Sequence, residues 1–96
     1  MAADELVLSP LPKTWILDLD GTIVKHNGYL IDGKDTLLEN SVAFIRNIPP
    51  EDKILILTAR SENERVPTIT FLEENDIRFD EILFGMPTGE RILIND

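Results

Sequence analysis

Residues 15–22 read Trp-Ile-Leu-Asp-Leu-Asp-Gly-Thr, and this stretch decides the fold. Its apolar residues predict a short buried strand that a single acid interrupts. Gly21 follows at once, so Asp18 and Asp20 lie at the carboxyl end of the predicted strand. A carboxylate in that position is costly unless a cation or hydrogen bonds compensate its charge.

Apolar runs and helical spacing alternate along the rest of the chain. The Pro49-Pro50 pair ends the first predicted helix. The run Ile54 to Leu57 is typical of a buried strand in a parallel sheet. The predicted elements are a flap over 25–31 with a turn at Asn27-Gly28, a helix over 37–48, and strands over 54–57, 81–84 and 91–95.

A second helix is predicted between the strands over 54–57 and 81–84. Ser61 and Glu64 have the spacing of a capping box. Pro67 requires the helix either to begin near that residue or to be kinked there. Asn75 is the predicted end of this helix.

The order of these elements is β-α-β-α-β-β, which is typical of a parallel sheet with helices on its faces. We therefore predict an α/β fold: a three-layer Rossmann-like domain with a mostly parallel central sheet. This domain covers residues 14–96, and residues 1–13 form an N-terminal tail. Ligands of such a sheet bind at the carboxyl ends of its strands.

Composition excludes several functional classes. The 96 residues include 18 acidic and 9 basic ones, a net charge of −9, and we find no cluster of Lys and Arg. We therefore expect no nucleic-acid partner. The absence of cysteine excludes disulfides and thiol catalysis. We see no membrane-spanning stretch and no secretory signal, so the expected location is cytoplasmic.

Residues suited to phosphoryl chemistry end three of the four predicted strands. Asp18 and Asp20 follow the first, Thr58-Ala59-Arg60 the second and Asn95-Asp96 the last. Three acids from strands far apart in sequence suggest a site of oxygen ligands, which Mg²⁺ prefers.

These three segments resemble motifs of the haloacid dehalogenase-like superfamily, most of whose members are Mg²⁺-dependent phosphatases. Residues 18–22, Asp-Leu-Asp-Gly-Thr, look like the first motif of that family. Residues 57–60, Leu-Thr-Ala-Arg, look like the second, and residues 94–96, Ile-Asn-Asp, like the terminal acidic motif. The resemblance spans residues 14–96.

The resemblance implies a role for each matching residue. Asp18 would be the nucleophile that forms an aspartyl-phosphate, and Asp20 would be the general acid and base. Gly21 would allow the sharp turn and, together with Thr58 and Ala59, would bind the phosphoryl oxygens. Asp18, the backbone carbonyl of Asp20 and Asp96 would hold Mg²⁺.

The sequence departs from the family in one motif and at its end. No Lys occurs after Lys53 to serve as the third motif, and Arg91 is nearest to the expected place, with Arg60 and Arg65 as rivals. Arg can bind a phosphoryl group through two hydrogen bonds. The family's sheet normally continues past the terminal acidic motif, so the domain is expected to be shortened, as a fragment or a reduced version.

Neither gap between the motifs has room for a cap domain, so the site is expected to be open. For a capless site, the resemblance implies a phosphorylated substrate that is bulky or macromolecular, or a lid from another subunit. An oligomer is therefore one of the alternatives. The predicted function is Mg²⁺-dependent phosphatase activity, with an association to sugar and polysaccharide metabolism. The alternatives are a binding or regulatory domain without efficient turnover, and phosphotransfer to an alcohol, which an open site disfavours.

Overall fold

The computed structural model describes residues 6–96. Three strands and three helices make up the regular structure of these residues. Residues 6–13 of the predicted tail form no helix or strand, and residues 1–5 lie outside the described part. The elements are β1 (Thr14–Asp18), α1 (Gly28–Ile31), α2 (Glu39–Arg46), β2 (Lys53–Leu57), a 3₁₀ turn (Glu62–Glu64), α3 (Arg65–Glu74) and β3 (Glu81–Leu83).

The three strands form one parallel sheet in the order β1-β2-β3. Thr14 of β1 pairs with Lys53 of β2, and Leu55 of β2 pairs with Glu81 of β3. All three strands therefore end at the same edge of the sheet. The parallel α/β architecture, compatible with a Rossmann-like fold, confirms the predicted fold class.

One face of the sheet carries the hydrophobic core. Its strand side chains are Trp15, Leu17, Ile54, Ile56 and Ile82, and they belong to the same cluster as Val42 and Ile45 of α2 and Leu72 of α3. Ile56 and Leu72 are completely buried. Burying one such side chain stabilises the fold by about 1.5–3 kcal/mol. The core thus fixes both long helices on this face.

The opposite face of the sheet is less well covered. Ile16 and Leu83 are 46% and 41% exposed there. The segment 86–93 lines a cavity of about 560 Å³ together with Ile16 and Leu57. In the described residues this irregular segment lies against the second face of the sheet, where the predicted three-layer architecture has a layer of helices.

The predicted fourth strand over 91–95 does not form, so that prediction is wrong. These residues have no regular structure, and Ile92, Leu93 and Ile94 are 83%, 76% and 91% exposed. Their apolar, β-branched composition is typical of a strand. A strand also needs a neighbour to pair with its backbone, and the segment pairs with none of the three described strands.

The structure agrees only in part with the sequence predictions for the flap and for α3. Asn27 has a φ of +56°, as the predicted turn requires, but the short helix α1 follows it instead of an extended arm. Ser61 makes no side-chain capping bond, so the predicted capping box is absent. Pro67 lies in the first turn of α3, where its missing N–H is tolerated, and Asn75 caps the end of that helix.

No helix among residues 6–96 is long and apolar enough to cross a membrane.

Candidate active site

The loop after β1 carries the two acids of the first motif. The backbone N–H groups of Ile23 and Val24 donate to the carbonyl of Leu19 at 2.9 and 3.1 Å. Gly21 has a φ of +82°, a left-handed conformation that favours glycine. Leu19, Ile23 and Val24 are buried and anchor the loop in the core. This tight turn brings Asp18 and Asp20 to one side of the sheet edge.

Both acids line a cleft of about 480 Å³, here called the acid cleft. It lies between the flap, the ends of β1 and β2, and the segment before Ile92. The lining residues are Asp18, Asp20, His26, Asn27, Tyr29, Ala59, Arg60, Thr88, Gly89, Glu90 and Arg91.

Asp18 presents an accessible carboxylate in the acid cleft. Its side chain is 53% exposed, and its Oδ1 accepts a hydrogen bond from the backbone N–H of Leu19 at 2.9 Å. The nearest guanidinium nitrogen of Arg91 lies 3.8 Å from the same oxygen. Asp18 is thus accessible to a ligand, as a nucleophile must be.

Asp20 is held by Arg60 through two hydrogen bonds. Arg60 Nε donates to Oδ2 at 3.0 Å, and Arg60 Nη2 donates to Oδ1 at 2.8 Å. The Asp20 side chain is only 17% exposed. The two acids of the first motif therefore have different surroundings: Asp18 is open and Asp20 is paired.

Arg60 binds a second carboxylate, that of Asp35 in the segment after α1. Its Nη1 and Nη2 donate to Asp35 at 3.1 and 2.7 Å, and Nη1 also donates to Thr68 Oγ1 at 3.0 Å. The Tyr29 ring stacks on the guanidinium at 3.9 Å. Burial lowers the pKa of Arg60, but the hydrogen bonds and charges of Asp20 and Asp35 outweigh that effect and raise it. Arg60 is therefore a permanent cation.

Thr58 and Ala59 begin the loop after β2. Thr58 is buried, and its Oγ1 accepts the backbone N–H of Arg60 at 3.1 Å, which stabilises the loop. The backbone N–H groups of Gly85 and Met86 donate to the carbonyls of Arg60 and Thr58. Ala59 lines the acid cleft and Thr58 does not, so the predicted phosphate contact of Thr58 stays a prediction. The N–H of Gly21 already donates to Val24 at 2.7 Å.

The three candidate arginines occupy different positions. Arg91 lines the acid cleft, and its Nη1 donates to the carbonyls of Pro87 and Gly89 at 2.7 and 3.0 Å. Arg60 lines the cleft but is bound to two acids. Arg65 pairs with Glu62 at 2.7 Å and does not line the cleft. The geometry thus favours Arg91 as the cation closest to Asp18.

The predicted metal ligands are not gathered into one cluster. Within residues 6–96, no group of three or more His, Asp or Glu side chains could hold a metal ion. Asp96 is exposed, and its backbone N–H donates to Asn95 Oδ1 at 2.9 Å. The side chains of Asp18, Asp20 and Asp96 therefore form no such group among the described residues, and magnesium with its ligands stays a prediction.

Sequence reasoning missed Asp35 and Thr68 as members of the site. Neither belongs to a motif, and no local pattern distinguishes Asp35 from the exposed Asp32 nearby. The structure places Tyr29 on Arg60 and leaves His26 exposed at the cleft.

Neither the known families nor the curated proteins identify the chain. No protein-family model matches the sequence. No curated protein matches it either.

Solved structures do resemble the chain. One is a chain in the Pnkp1/Rnl/Hen1 complex, with 28% identity and a TM-score of 0.67 over 88% of this chain. Another, from a structure of the Pnkp1/Rnl/Hen1 RNA repair complex, has 29% identity and a TM-score of 0.66 over 84% of this chain. This chain spans only 31% and 28% of those two chains.

A third similar structure is a crystal structure of a target protein from Vibrio cholerae. It has 25% identity and a TM-score of 0.61, and the match covers 86% of this chain and 79% of that one. Together the three likenesses establish a shared α/β fold. At the level of the fold they support the haloacid dehalogenase-like resemblance.

Proposed function

We propose that this chain hydrolyses phosphate monoesters through an aspartyl-phosphate at Asp18. The observation that carries the proposal is the contrast between the two acids of the loop after β1. Asp18 is open and lies 3.8 Å from Arg91, while Asp20 is held beside it by Arg60. The motif resemblance and the likeness to chains of an RNA repair complex support a phosphoesterase.

The proposed reaction has two steps. In the first, an oxygen of Asp18 attacks phosphorus and the bond from phosphorus to the ester oxygen breaks. Asp20 enters this step carrying a proton, gives it to the leaving alcohol and is left as a carboxylate. In the second, Asp20 takes a proton from water as the water attacks phosphorus. The bond between phosphorus and Asp18 then breaks and releases inorganic phosphate.

Arg91 is the proposed partner of the phosphoryl oxygens. It lines the acid cleft beside Asp18. Its guanidinium carries several N–H donors, so it can bind a phosphoryl group while keeping contacts to backbone carbonyls. The backbone around Ala59 and the hydroxyl of Thr58 complete this proposed set.

The charges of the acid cleft favour an additional cation. Asp18 and a phosphate monoester are both anionic, and Arg60 is already neutralised by Asp20 and Asp35. Arg91 alone does not balance these charges. A bound Mg²⁺ would neutralise charge on the phosphoryl group, although the described residues do not gather the three predicted carboxylates.

The proposed substrate is a phosphorylated sugar or saccharide. Residues 25–52 contain only α1 and α2, and residues 61–90 only the 3₁₀ turn, α3 and β3, so we propose a capless, open site. The likeness to a chain of an RNA repair complex suggests a second substrate class, a phosphorylated RNA. The net charge of −9 opposes a polyanion, and we therefore favour the saccharide.

A binding or regulatory domain without turnover is the competing function. The missing Lys of the third motif and the pairing of Arg60 favour it. The open Asp18 beside a second acid opposes it, because a binding domain needs no proton donor next to its ligand.

The deciding experiment is hydrolysis of an aryl phosphate, a sugar phosphate and a phosphate-terminated RNA, each with Mg²⁺. The blank is Asp18→Asn, and the matched control is Asp76→Asn. Asp76 is exposed and has a φ of +56°, which Asn tolerates. Turnover that is lost only in Asp18→Asn supports the phosphatase, and the preferred ester identifies the substrate class. No turnover of any of the three by the wild type contradicts it.

A further inference from the structure

Arg60 is the most highly connected side chain near the acid cleft. We propose that Arg60 is a positioning residue that fixes the carboxylate of Asp20 for proton transfer, and that it does not bind the phosphoryl group. This inference rests on the proposed phosphatase function. The proposal gives Arg60 and Arg91 different roles, although both are cations that line the acid cleft.

The hydrogen-bond count of Arg60 supports this role. A guanidinium has five N–H donors and no acceptor. Arg60 makes five side-chain hydrogen bonds: two to Asp20, two to Asp35 and one to Thr68. Every donor is therefore used within the protein. A phosphoryl oxygen could bind Arg60 only by breaking one of these bonds.

Burial and charge lead to the same conclusion. The side chain of Arg60 is 2% exposed, and that of Asp35 is 8% exposed. The cluster of one cation and two carboxylates has a net charge of −1 when both acids are ionised. An anionic phosphate gains little from a cation whose charge is already compensated in this way.

The contacts of Arg60 connect three segments of the chain. Arg60 follows β2, Asp20 follows β1 and lies 40 residues away in sequence, and Asp35 belongs to the segment after α1, 25 residues away. Tyr29 of α1 stacks on the guanidinium at 3.9 Å. One buried side chain thus fixes both the Asp20 carboxylate and the flap that borders the cleft.

The role of Arg60 can be tested through the leaving group. Proton donation by Asp20 matters for an ester with a basic leaving group, such as an alkyl phosphate. It matters little for a dinitrophenyl phosphate, whose leaving group departs without a proton. We expect Arg60→Gln to reduce kcat for the alkyl ester at least about tenfold more than for the dinitrophenyl ester. The KM values and the inhibition constant of inorganic phosphate should change less than about twofold, because no phosphate contact is lost.

The control variants distinguish a positioning role of Arg60 from an effect of the substitution on folding. Arg60→Lys keeps the charge but cannot bind both acids in the same way, so it should restore kcat for the alkyl ester only in part. Arg46→Gln changes an exposed arginine of α2 and should leave both esters unaffected. Arg60→Gln leaves two carboxylates without their cation, which could unfold the domain. The double variant Arg60→Gln/Asp35→Asn removes a charge of each sign and should show the same dependence on the leaving group.

Two results would overturn the proposal. Equal losses for both esters, with a raised inhibition constant for phosphate, would assign Arg60 to the phosphoryl group. Wild-type kinetics in the folded double variant would show that the hydrogen bonds of Arg60 to Asp20 and Asp35 have no role in turnover. A wild type that hydrolyses neither ester removes the phosphatase itself, and with it this role of Arg60.

Discussion

The nearest guanidinium nitrogen of Arg91 lies 3.8 Å from Oδ1 of Asp18, at the open end of strand β1. The nitrogen near Asp18 is Nη2, and the second terminal nitrogen, Nη1, donates hydrogen bonds to the carbonyls of Pro87 and Gly89. These contacts anchor Arg91 beside the proposed nucleophile, where the resemblance leads one to expect a Lys.

Asp18→Asn should abolish turnover, because an amide oxygen is a poor nucleophile towards phosphorus. We expect a loss of at least about 10³-fold in kcat. Asp18 is 53% exposed, so the thermal midpoint should change little. Steady-state kinetics together with thermal unfolding check both statements, and near-wild-type turnover would remove Asp18 from the mechanism.

Arg91→Ala should lower kcat/KM by roughly 10- to 100-fold, the effect of losing one charged hydrogen bond to substrate. Arg91→Lys should recover part of this loss, since it restores the charge. Arg46→Ala, at an exposed position of α2, serves as the matched control. An unchanged kcat/KM in Arg91→Ala would mean that another group neutralises the phosphate.

Removal of divalent metal should lower turnover by about 10²-fold or more, because Arg91 alone does not balance the charges of Asp18 and substrate. EDTA followed by excess Mg²⁺ tests this reversibly. A second readout is thermal unfolding with inorganic phosphate present: Mg²⁺ should raise the midpoint of wild type more than that of Asp18→Asn. Full activity in EDTA would show that the reaction needs no metal.

Gly21→Ala should destabilise the domain by about 1–2 kcal/mol, because the φ of Gly21 is +82° and a side chain is strained there. The added Cβ itself would meet only His26, at 3.7 Å, so backbone strain is the cause. Urea unfolding measures the change. Gly89→Ala is the stability control, since open space surrounds that position, and it should shift the free energy of unfolding by less than about 0.5 kcal/mol.

The domain should lose stability as the pH falls below about 4, in part through Asp52. Hydrogen bonds from the Trp15 indole and the Lys13 backbone lower the pKa of Asp52. A lowered folded-state pKa stabilises the fold above the unfolded-state value, and this contribution disappears as the pH falls through the folded-state value. Asp52→Asn should therefore be less stable at pH 7 and lose less stability between pH 5 and pH 3. Urea unfolding between pH 5 and pH 3 measures the free energy of unfolding of both proteins. Parallel curves of this free energy against pH for wild type and Asp52→Asn would contradict the prediction.

The strands and long helices follow from local patterns. The run Ile54 to Leu57 is short, continuous and apolar, which is typical of a buried strand, and β2 forms there. Leu37, Val42 and Ile45 are spaced for one helix face, and Val42 and Ile45 are buried in α2. The run over 91–95 has the same composition as a strand but forms none. An apolar pattern indicates which side chains of a segment can be buried. Whether the segment forms a strand also depends on a second strand that pairs with its backbone, and that strand lies elsewhere in the chain.

The sequence by itself determined the parallel α/β fold and the placement of Asp18 and Asp20 at a strand end, because both depend on contiguous residues: an apolar run, then a glycine turn. Only the tertiary structure decided which cation meets which acid. Arg60 reaches Asp20 and Asp35 across 40 and 25 residues, and no pattern along the chain encodes such a contact. The core brings these residues together, and the desolvation of a buried charge then requires that they pair.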